Sequence, residues 1–368
     1  MAKRKNNGFI HFLEILIIVL VSIVIIFFIL NKIEPEKLKQ VMETASEKIQ
    51  LISDNIQEKV NGTPVIPDNI EFPEKEDLTG AQRHYHYEQL NNTAKKIYIS
   101  IENNIDKLKN GEDNIPLPPS LNDDANSSSD GKQYIATEFQ NAWDAFIADK
   151  SEYFYLDSSK VCLVSKMTTK GSKTTYEFFI GKGDNKSYFI DEFTSKQQVE
   201  KAELEVKNVK DEILKNASGN NYEKMKYVHD WIVDNVDYDG TNGKNSSNIY
   251  GCLIEKKVVC EGYARAFKYL MDELDVPCVL VSGYATDENG KTERHAWNYV
   301  YIKNEWFAID TTWDDPIVIG NGRINDKIKY KYFLKGSNTM NKDHEVVGQI
   351  TKNGFKFEYP DLSVDDIK

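Results

Sequence analysis

Residues 257–274, KVVCEGYARAFKYLMDEL, constrain the fold of this chain more than any other stretch. A short apolar run leads into Cys260, and apolar residues then recur at spacings of three and four. This period predicts a helix with one buried face and with Cys260 at its N-terminus. Unpaired N–H groups and the positive end of the helix dipole would stabilise a thiolate there, which makes Cys260 a candidate nucleophile. The alternative is a small, buried and inert cysteine.

Two later runs, residues 293–302 and 305–316, alternate apolar with other residues, as strands do. The two residues between them suit a tight hairpin turn. With that turn length, His295 and Asp310 become diagonal neighbours on one face of the hairpin. A turn longer or shorter by one residue would separate them. The sequence therefore predicts a nucleophile, a base and an orienting carboxylate in the order Cys, His, Asp.

Three motifs, CEGYARAF, RHAWNYV and FAIDTTWDDP, closely resemble the core motifs of the bacterial transglutaminase-like superfamily. The nearest branch is the one that includes the cytokinesis-type transglutaminase-like domains, and the resemblance covers roughly residues 222–344. It implies a papain-like α+β fold in which a nucleophile helix packs on an antiparallel sheet. It also implies that Cys260 is the nucleophile, His295 the general base and Asp310 the third member of a triad.

The implied reaction proceeds through a Cys260 thioester with a peptide or protein amide, and its outcome is either crosslinking or proteolysis. The Cys260 backbone N–H would hold the oxyanion together with one further donor. We consider Tyr250, Gly262, Trp297 and Trp313 as candidates for that donor or for substrate contacts. The competing interpretation is a catalytically idle module that binds peptides or acts as a scaffold at the cell surface.

The composition limits which classes of partner and cofactor we expect for this chain. The chain has 368 residues and a formal net charge of −12, which argues against a nucleic-acid partner. The four cysteines, at positions 162, 252, 260 and 278, show no zinc-ligand spacing, and no calcium loop stands out. We therefore expect no cofactor and no metal, and we interpret Cys162 and Cys278 as core residues.

The N-terminus predicts a membrane anchor. Basic residues at positions 3–5 precede an apolar run over residues 9–30, which approaches the length needed to span a bilayer. The charge bias predicts a single-pass anchor with a cytoplasmic N-terminus, so that the catalytic part faces the outside near cell-wall or surface proteins. A second alternative is a pilin-like surface subunit, because KNNGFIHFLEILIIV is similar to a prepilin leader. There, Glu14 is the sixth residue after Gly8 rather than the fifth.

The chain divides into five predicted segments. Residues 1–31 are the cytoplasmic tip and the anchor, and residues 32–77 are a membrane-proximal helix and a linker, of which 37–60 could form a homodimer. A small α+β helper domain follows at 78–195, the transglutaminase-like catalytic domain at 196–345 and a C-terminal tail at 346–368.

Finer expectations concern strands and histidines. The helper domain should hold strands near residues 153–156, 161–167, 174–180 and 187–193, and 122–131 should be an exposed loop. A further strand is expected at 329–334, with an edge strand and a frayed end after it. We expect His229 to pack against a neighbour, and we assign His344 no role.

Overall fold

The computed structural model of the chain describes residues 84–241, 243–315, 326–351 and 354–367. Within those ranges, no helix is both long enough and apolar enough to cross a bilayer. The predicted anchor at 9–30, its prepilin alternative and the predicted dimer helix at 37–60 lie outside the described residues.

The N-terminal region combines helices with a small antiparallel sheet. Buried apolar residues of the helices, among them Ile97, Ile135 and Trp143, form one hydrophobic cluster with the inner face of the sheet. The sheet has the strand order β1-β3-β2. The elements are α1 (Asn92–Asn103), α2 (Ile105–Lys109), β1 (Ile115–Pro116), α3 (Leu121–Asn126), α4 (Gly131–Asp149), β2 (Cys162–Lys170) and β3 (Lys173–Gly181).

Two of the four strands predicted here are confirmed, at 161–167 and 174–180, and both are longer than expected. The predictions at 153–156 and 187–193 are wrong, because those runs share only an isolated bridge between Leu156 and Phe189. Their aromatic residues are buried by packing rather than by sheet pairing. The prediction of an exposed loop at 122–131 is wrong for residues 122–126, which belong to α3. Leu121 and Ala125 are buried and stabilise this helix.

The C-terminal region surrounds a second cluster and a sheet with the strand order β8-β7-β6-β9. A short parallel pair, β4 and β5, lies before the central helix. The elements are α5 (Lys196–Asn216), α6 (Asn221–Asn235), β4 (Asp237–Tyr238), β5 (Lys257–Val258), α7 (Cys260–Glu273), β6 (Cys278–Thr286), β7 (Thr292–Ile302), β8 (Glu305–Ile309), α8 (Asp326–Lys329), α9 (Ser337–Met340) and β9 (His344–Val346).

Helix α7 is buried on almost every side. The predicted apolar face, represented by Tyr263 and Phe267, is fully buried in the second cluster. On another side, Ala264 packs against Leu280 of β6 and Ala148 of α4. Such burial fixes the helix that begins at Cys260 from several directions at once.

The hairpin β7–β8 has the predicted two-residue turn, because Ile302 pairs with Glu305. Lys303 and Asn304 have φ angles of 54° and 64°, the signature of a type I′ turn. This turn matches the right-handed twist of the two strands, so the register continues unbroken to Asn298 opposite Ile309. The register places the residues beyond β8 beside the start of β7.

The C-terminal residues differ from expectation. The strand predicted at 329–334 is wrong: α8 ends at Lys329 and a turn follows, with an isolated bridge at Lys335. The prediction of a frayed end is also wrong for residues 354–367, because Phe357 is buried in the cluster of the N-terminal region. Ser363 also donates its N–H to Trp306 O at 2.8 Å. Apolar burial therefore holds these residues although they form little regular sheet.

The hairpin gives a stability prediction. Asn304→Gly should raise the free energy of unfolding by about 0.5 kcal/mol, because glycine adopts the left-handed conformation without steric cost. The converse control is Gly290→Ala, which should lower it by about 1 kcal/mol, since Gly290 has φ +81° in an open turn. Urea unfolding of both variants measures the effects. A less stable Asn304→Gly protein would contradict the assigned turn.

Candidate active site

Cys260 is the first residue of α7, and Val259 precedes it in extended conformation. Val259 donates its N–H to Ser246 O at 2.8 Å, which ties the preceding loop to the start of the helix. Gly262 allows this approach, because a Cβ there would lie 2.6 Å from Ser246 O. Gly262 already donates its N–H to Val259 O at 2.9 Å, so the N–H groups of Cys260 and Glu261 are the first-turn donors that can face an anion beside the sulfur.

His295 and Asp310 meet across the hairpin. His295 Nε2 lies 2.7 Å from Asp310 Oδ2, and both side chains are buried. Cys260 and His295 line the same cavity, and the Cys260 thiol helps to raise the pKa of the His295 ring. Because Asp310 occupies Nε2, the nitrogen that remains for Cys260 is Nδ1. Asp310 therefore orients the imidazole at the cavity that the sulfur also lines.

The charges of His295 and Asp310 stabilise each other. Burial alone would lower the pKa of His295, but the Asp310 carboxylate and the Cys260 thiol outweigh it and raise that pKa to about 10. Burial would raise the pKa of Asp310, yet His295 and a second histidine, His344, hold it well below the usual carboxyl range. At neutral pH the site therefore favours an imidazolium at His295 beside an ionised Asp310.

His344 is the residue that sequence reasoning missed. Its Nε2 lies 3.1 Å from Asp310 Oδ2, the same oxygen that binds His295, and its Nδ1 lies 2.7 Å from Asp343 Oδ1. Strand β9 brings it there by pairing with β6, which lies next to β7. That pairing spans about sixty residues of sequence, so no local pattern indicates it.

The same residues could in principle hold a metal ion. One ligand atom from each of His295, Asp310 and His344 lies within 4.8 Å of the others. However, Nε2 of both histidines already bonds Asp310 Oδ2, so hydrogen bonds between these groups account for the geometry. We interpret the cluster as a hydrogen-bonded network.

The other candidate site residues occupy different positions. Trp297 and Trp313 lie against the His295 ring, with ring centroids 6.0 and 5.4 Å away. Gly262 serves the close backbone approach at the start of α7. Tyr250 is not an oxyanion donor, because its hydroxyl donates to Glu205 at 2.9 Å while its ring stacks on Phe154.

Two further acidic residues, Asp314 and Asp315, follow Asp310 in the sequence and bond other partners. Asp314 Oδ2 lies 3.1 Å from His229 Nε2, and Asp230 lies 3.1 Å from the other ring nitrogen. The prediction that His229 packs against a neighbour is therefore confirmed. The carboxylate of Asp315 accepts a hydrogen bond from the Tyr263 hydroxyl. Asp310 is thus the carboxylate of this acidic run that bonds His295.

Comparison with known proteins assigns the fold around this geometry. Residues 207–311 match the family model of the transglutaminase-like superfamily, a span that includes Cys260, His295 and Asp310. The chain contains a transglutaminase-like domain.

Curated relatives cover the same part of the chain. The mouse (Mus musculus) kyphoscoliosis peptidase is 28% identical over 107 residues, which is 26% of this chain and 16% of that protein. The human (Homo sapiens) kyphoscoliosis peptidase is 26% identical over 121 residues, 30% of this chain and 18% of that protein. The chain thus spans less than a fifth of the length of these relatives. A solved structure described as a TGase is 16% identical, with a TM-score of 0.29 and coverage of 49% of this chain and 53% of that one.

A cavity opens beside Cys260. Cys260 and His295 line it together with Ser282, Arg294 and Ile350. A second cavity borders the first, because Glu261 and Arg265 line both.

The second cavity reaches the N-terminal region and is lined by apolar, cationic and neutral polar side chains. Besides Glu261 and Arg265, these are Phe146, Ile147, Lys150, Ser151, Tyr153, Phe154, Leu156, Ser158, Ile190, Lys244, Ser247 and Asn248. Arg265 donates to Glu261 Oε1 at 2.9 Å and also to the backbone carbonyl of Ile147. Helix α7, which begins at Cys260, thus contacts the N-terminal region at these cavities.

The four thiols should differ sharply in reactivity. Burial raises the pKa of Cys252 to about 12 and that of Cys278 well above normal. Burial also raises the pKa of half-buried Cys162, whose thiol donates to Gly181 O at 3.1 Å. Iodoacetamide should therefore label Cys260 at least about tenfold faster than the others, as mapped by peptide mass spectrometry.

The labelling should depend on the base. His295→Asn should slow alkylation of Cys260 by about tenfold or more, because the thiolate loses its imidazolium partner. Equal labelling of all four cysteines in the folded protein would contradict an activated Cys260.

Proposed function

We propose that this protein is a cysteine acyltransferase or hydrolase of the transglutaminase-like type that acts on peptide or protein amides. The observation that supports it best is the hydrogen-bonded pair of His295 and Asp310 at a cavity that Cys260 also lines. A nucleophile, a base and an orienting acid in this arrangement are what acyl transfer through a thioester requires.

The nucleophile is activated before substrate binds. A free thiol with a pKa of about 8.5 is mostly protonated at neutral pH. The imidazolium of His295 and the N-terminus of α7 both favour the thiolate, and Asp310 in turn stabilises the imidazolium. Asp310 also fixes the ring so that Nδ1 faces the sulfur.

In the first step, the Cys260 sulfur attacks the amide carbon and the carbonyl π electrons move onto oxygen. First-turn N–H groups of α7 stabilise this oxyanion. As the S–C bond forms, the negative charge leaves the sulfur, and His295 loses one of the charges that raised its pKa. The imidazolium therefore becomes a better acid when the C–N bond breaks and the leaving amine takes its proton.

In the second step, an acceptor attacks the thioester carbon while neutral His295 removes its proton. Water as acceptor gives a carboxylic acid, and a primary amine gives a new amide bond. In either route the S–C bond breaks and Cys260 leaves as a thiolate beside the protonated ring of His295. The site geometry supports both acceptors equally, so the reaction is proteolysis or crosslinking according to which of them reaches the thioester.

An extended substrate fits the two adjoining cavities. The first holds the sulfur, and the second continues past Glu261 and Arg265 along apolar residues of the N-terminal region. A single small amide would need only the first cavity, whereas a peptide can place neighbouring side chains in the second. This continuity supports a peptide or protein as acyl donor.

Activity assays test the proposal. Wild-type protein should either release peptide fragments from a glutamine-rich test protein such as casein or incorporate dansylcadaverine into it. Cys260→Ala should abolish either activity, because no thioester can form, while its circular dichroism spectrum stays unchanged. Cys252→Ala is the matched control, since Cys252 is buried away from the site. Equal turnover by the wild type and Cys260→Ala would refute the mechanism.

We further propose that the protein is anchored by residues 9–30 with its catalytic domain outside the cytoplasm, where cell-wall or surface proteins are accessible substrates. The support is the long apolar run and its basic flank. Protease added to intact cells should digest the domain while a tag at the N-terminus stays protected. Protection of both ends would contradict this orientation.

A further inference from the structure

His344 lies beside His295 and bonds the same oxygen of Asp310, Oδ2. Its ring is 5.5 Å from the His295 ring between centroids, and Trp297, Trp313 and Tyr332 enclose it. Only 6% of the residue is exposed. It therefore contacts the catalytic carboxylate without access to substrate.

Both nitrogens of His344 face carboxylate oxygens, Asp343 Oδ1 at 2.7 Å and Asp310 Oδ2 at 3.1 Å. An ionised carboxylate only accepts hydrogen bonds, so each nitrogen must carry a proton to bond to it. His344 is therefore an imidazolium whenever both acids are ionised. In agreement, burial alone would lower the pKa of His344, but its hydrogen bonds to Asp310 and Asp343 outweigh that effect and raise this pKa.

The charged groups around His344 come from several elements. Asp310 follows β8, His295 belongs to β7, Asp343 precedes β9, and Tyr332 donates its hydroxyl to Asp343 Oδ2 at 2.7 Å. Lys331 acts on Asp343 through its charge. When Cys260 is a thiolate, this row of charges alternates in sign from the sulfur through His295, Asp310 and His344 to Asp343.

We propose that His344 is a positioning residue for the triad: as an imidazolium it holds Asp310 in place and offsets part of the negative charge that acts on Cys260 and His295. This inference rests on the proposed function. Without the His344 charge, the row gains one net negative charge, and forming a thiolate at Cys260 becomes less favourable. The pH at which Cys260 becomes reactive should then rise.

The chain holds a matched control. His229 is also buried between two carboxylates, Asp230 and Asp314, each 3.1 Å from one ring nitrogen. Neither of those carboxylates bonds His295. Replacing His229 therefore removes a comparable buried, doubly bonded histidine without touching the carboxylate of the triad.

The test measures the rate of Cys260 alkylation by iodoacetamide against pH in the full chain. In His344→Gln, the midpoint should rise by roughly one pH unit, as expected for a unit charge lost nearby at an effective dielectric of about 20. Asp343→Asn should shift it in the same direction, because His344 then loses the acid that holds its second proton. His229→Gln should leave the midpoint in place.

Each outcome is decisive. A wild type without selective Cys260 labelling would refute the proposed function itself. Selective labelling with an unshifted midpoint in folded His344→Gln would overturn only the role of His344. If His344→Gln does not fold, Asp343→Asn decides, and an unshifted midpoint there overturns the inference. An equal shift in His229→Gln would assign the effect to general packing and also overturn it.

Discussion

The carboxylate of Asp310 is the group on which the arrangement of the site depends. It is fully buried, and burying an ionised carboxylate is costly unless it is well bonded. Four donors satisfy it: the backbone N–H groups of Thr312 and Trp313 at Oδ1, and the rings of His295 and His344 at Oδ2. These bonds set the orientation of His295, and through it the environment of the thiol. The first turn after β8 is therefore as much a part of the site as the strands are.

A second constraint is the burial of α7 together with its own charged residues. Lys268 is fully buried and bonds Asp272 at 2.7 Å, while Arg265 bonds Glu261 and the N-terminal region. Unpaired, these charges would be strongly destabilising, so they fix the rotation of the helix as well as its depth. A helix held in this way presents Cys260 in one orientation to the cavity. Packing and electrostatics thus cooperate in placing the sulfur.

The parts of the site that the sequence predicted are those that local rules control. The period after Cys260 predicts α7, and the two residues between β7 and β8 predict the register that joins His295 to Asp310. What local rules could not indicate depends on pairing between distant segments. His344 reaches Asp310 only because β9 pairs with β6, and the strand expected at 329–334 is replaced by a turn. The aromatic runs at 153–156 and 187–193 also looked like strands, but tertiary burial accounts for their apolar character.

The placement of Phe357 has a consequence for biosynthesis. Its ring completes a cluster whose other buried members, from Tyr87 to Tyr188, are translated about 170 to 270 residues earlier. During synthesis, that early cluster emerges from the ribosome with part of its apolar surface still uncovered. It can close only after the triad residues have also been made. Maturation of the two regions is therefore coupled in time, and a nascent chain stalled before residue 357 would expose apolar surface to chaperones.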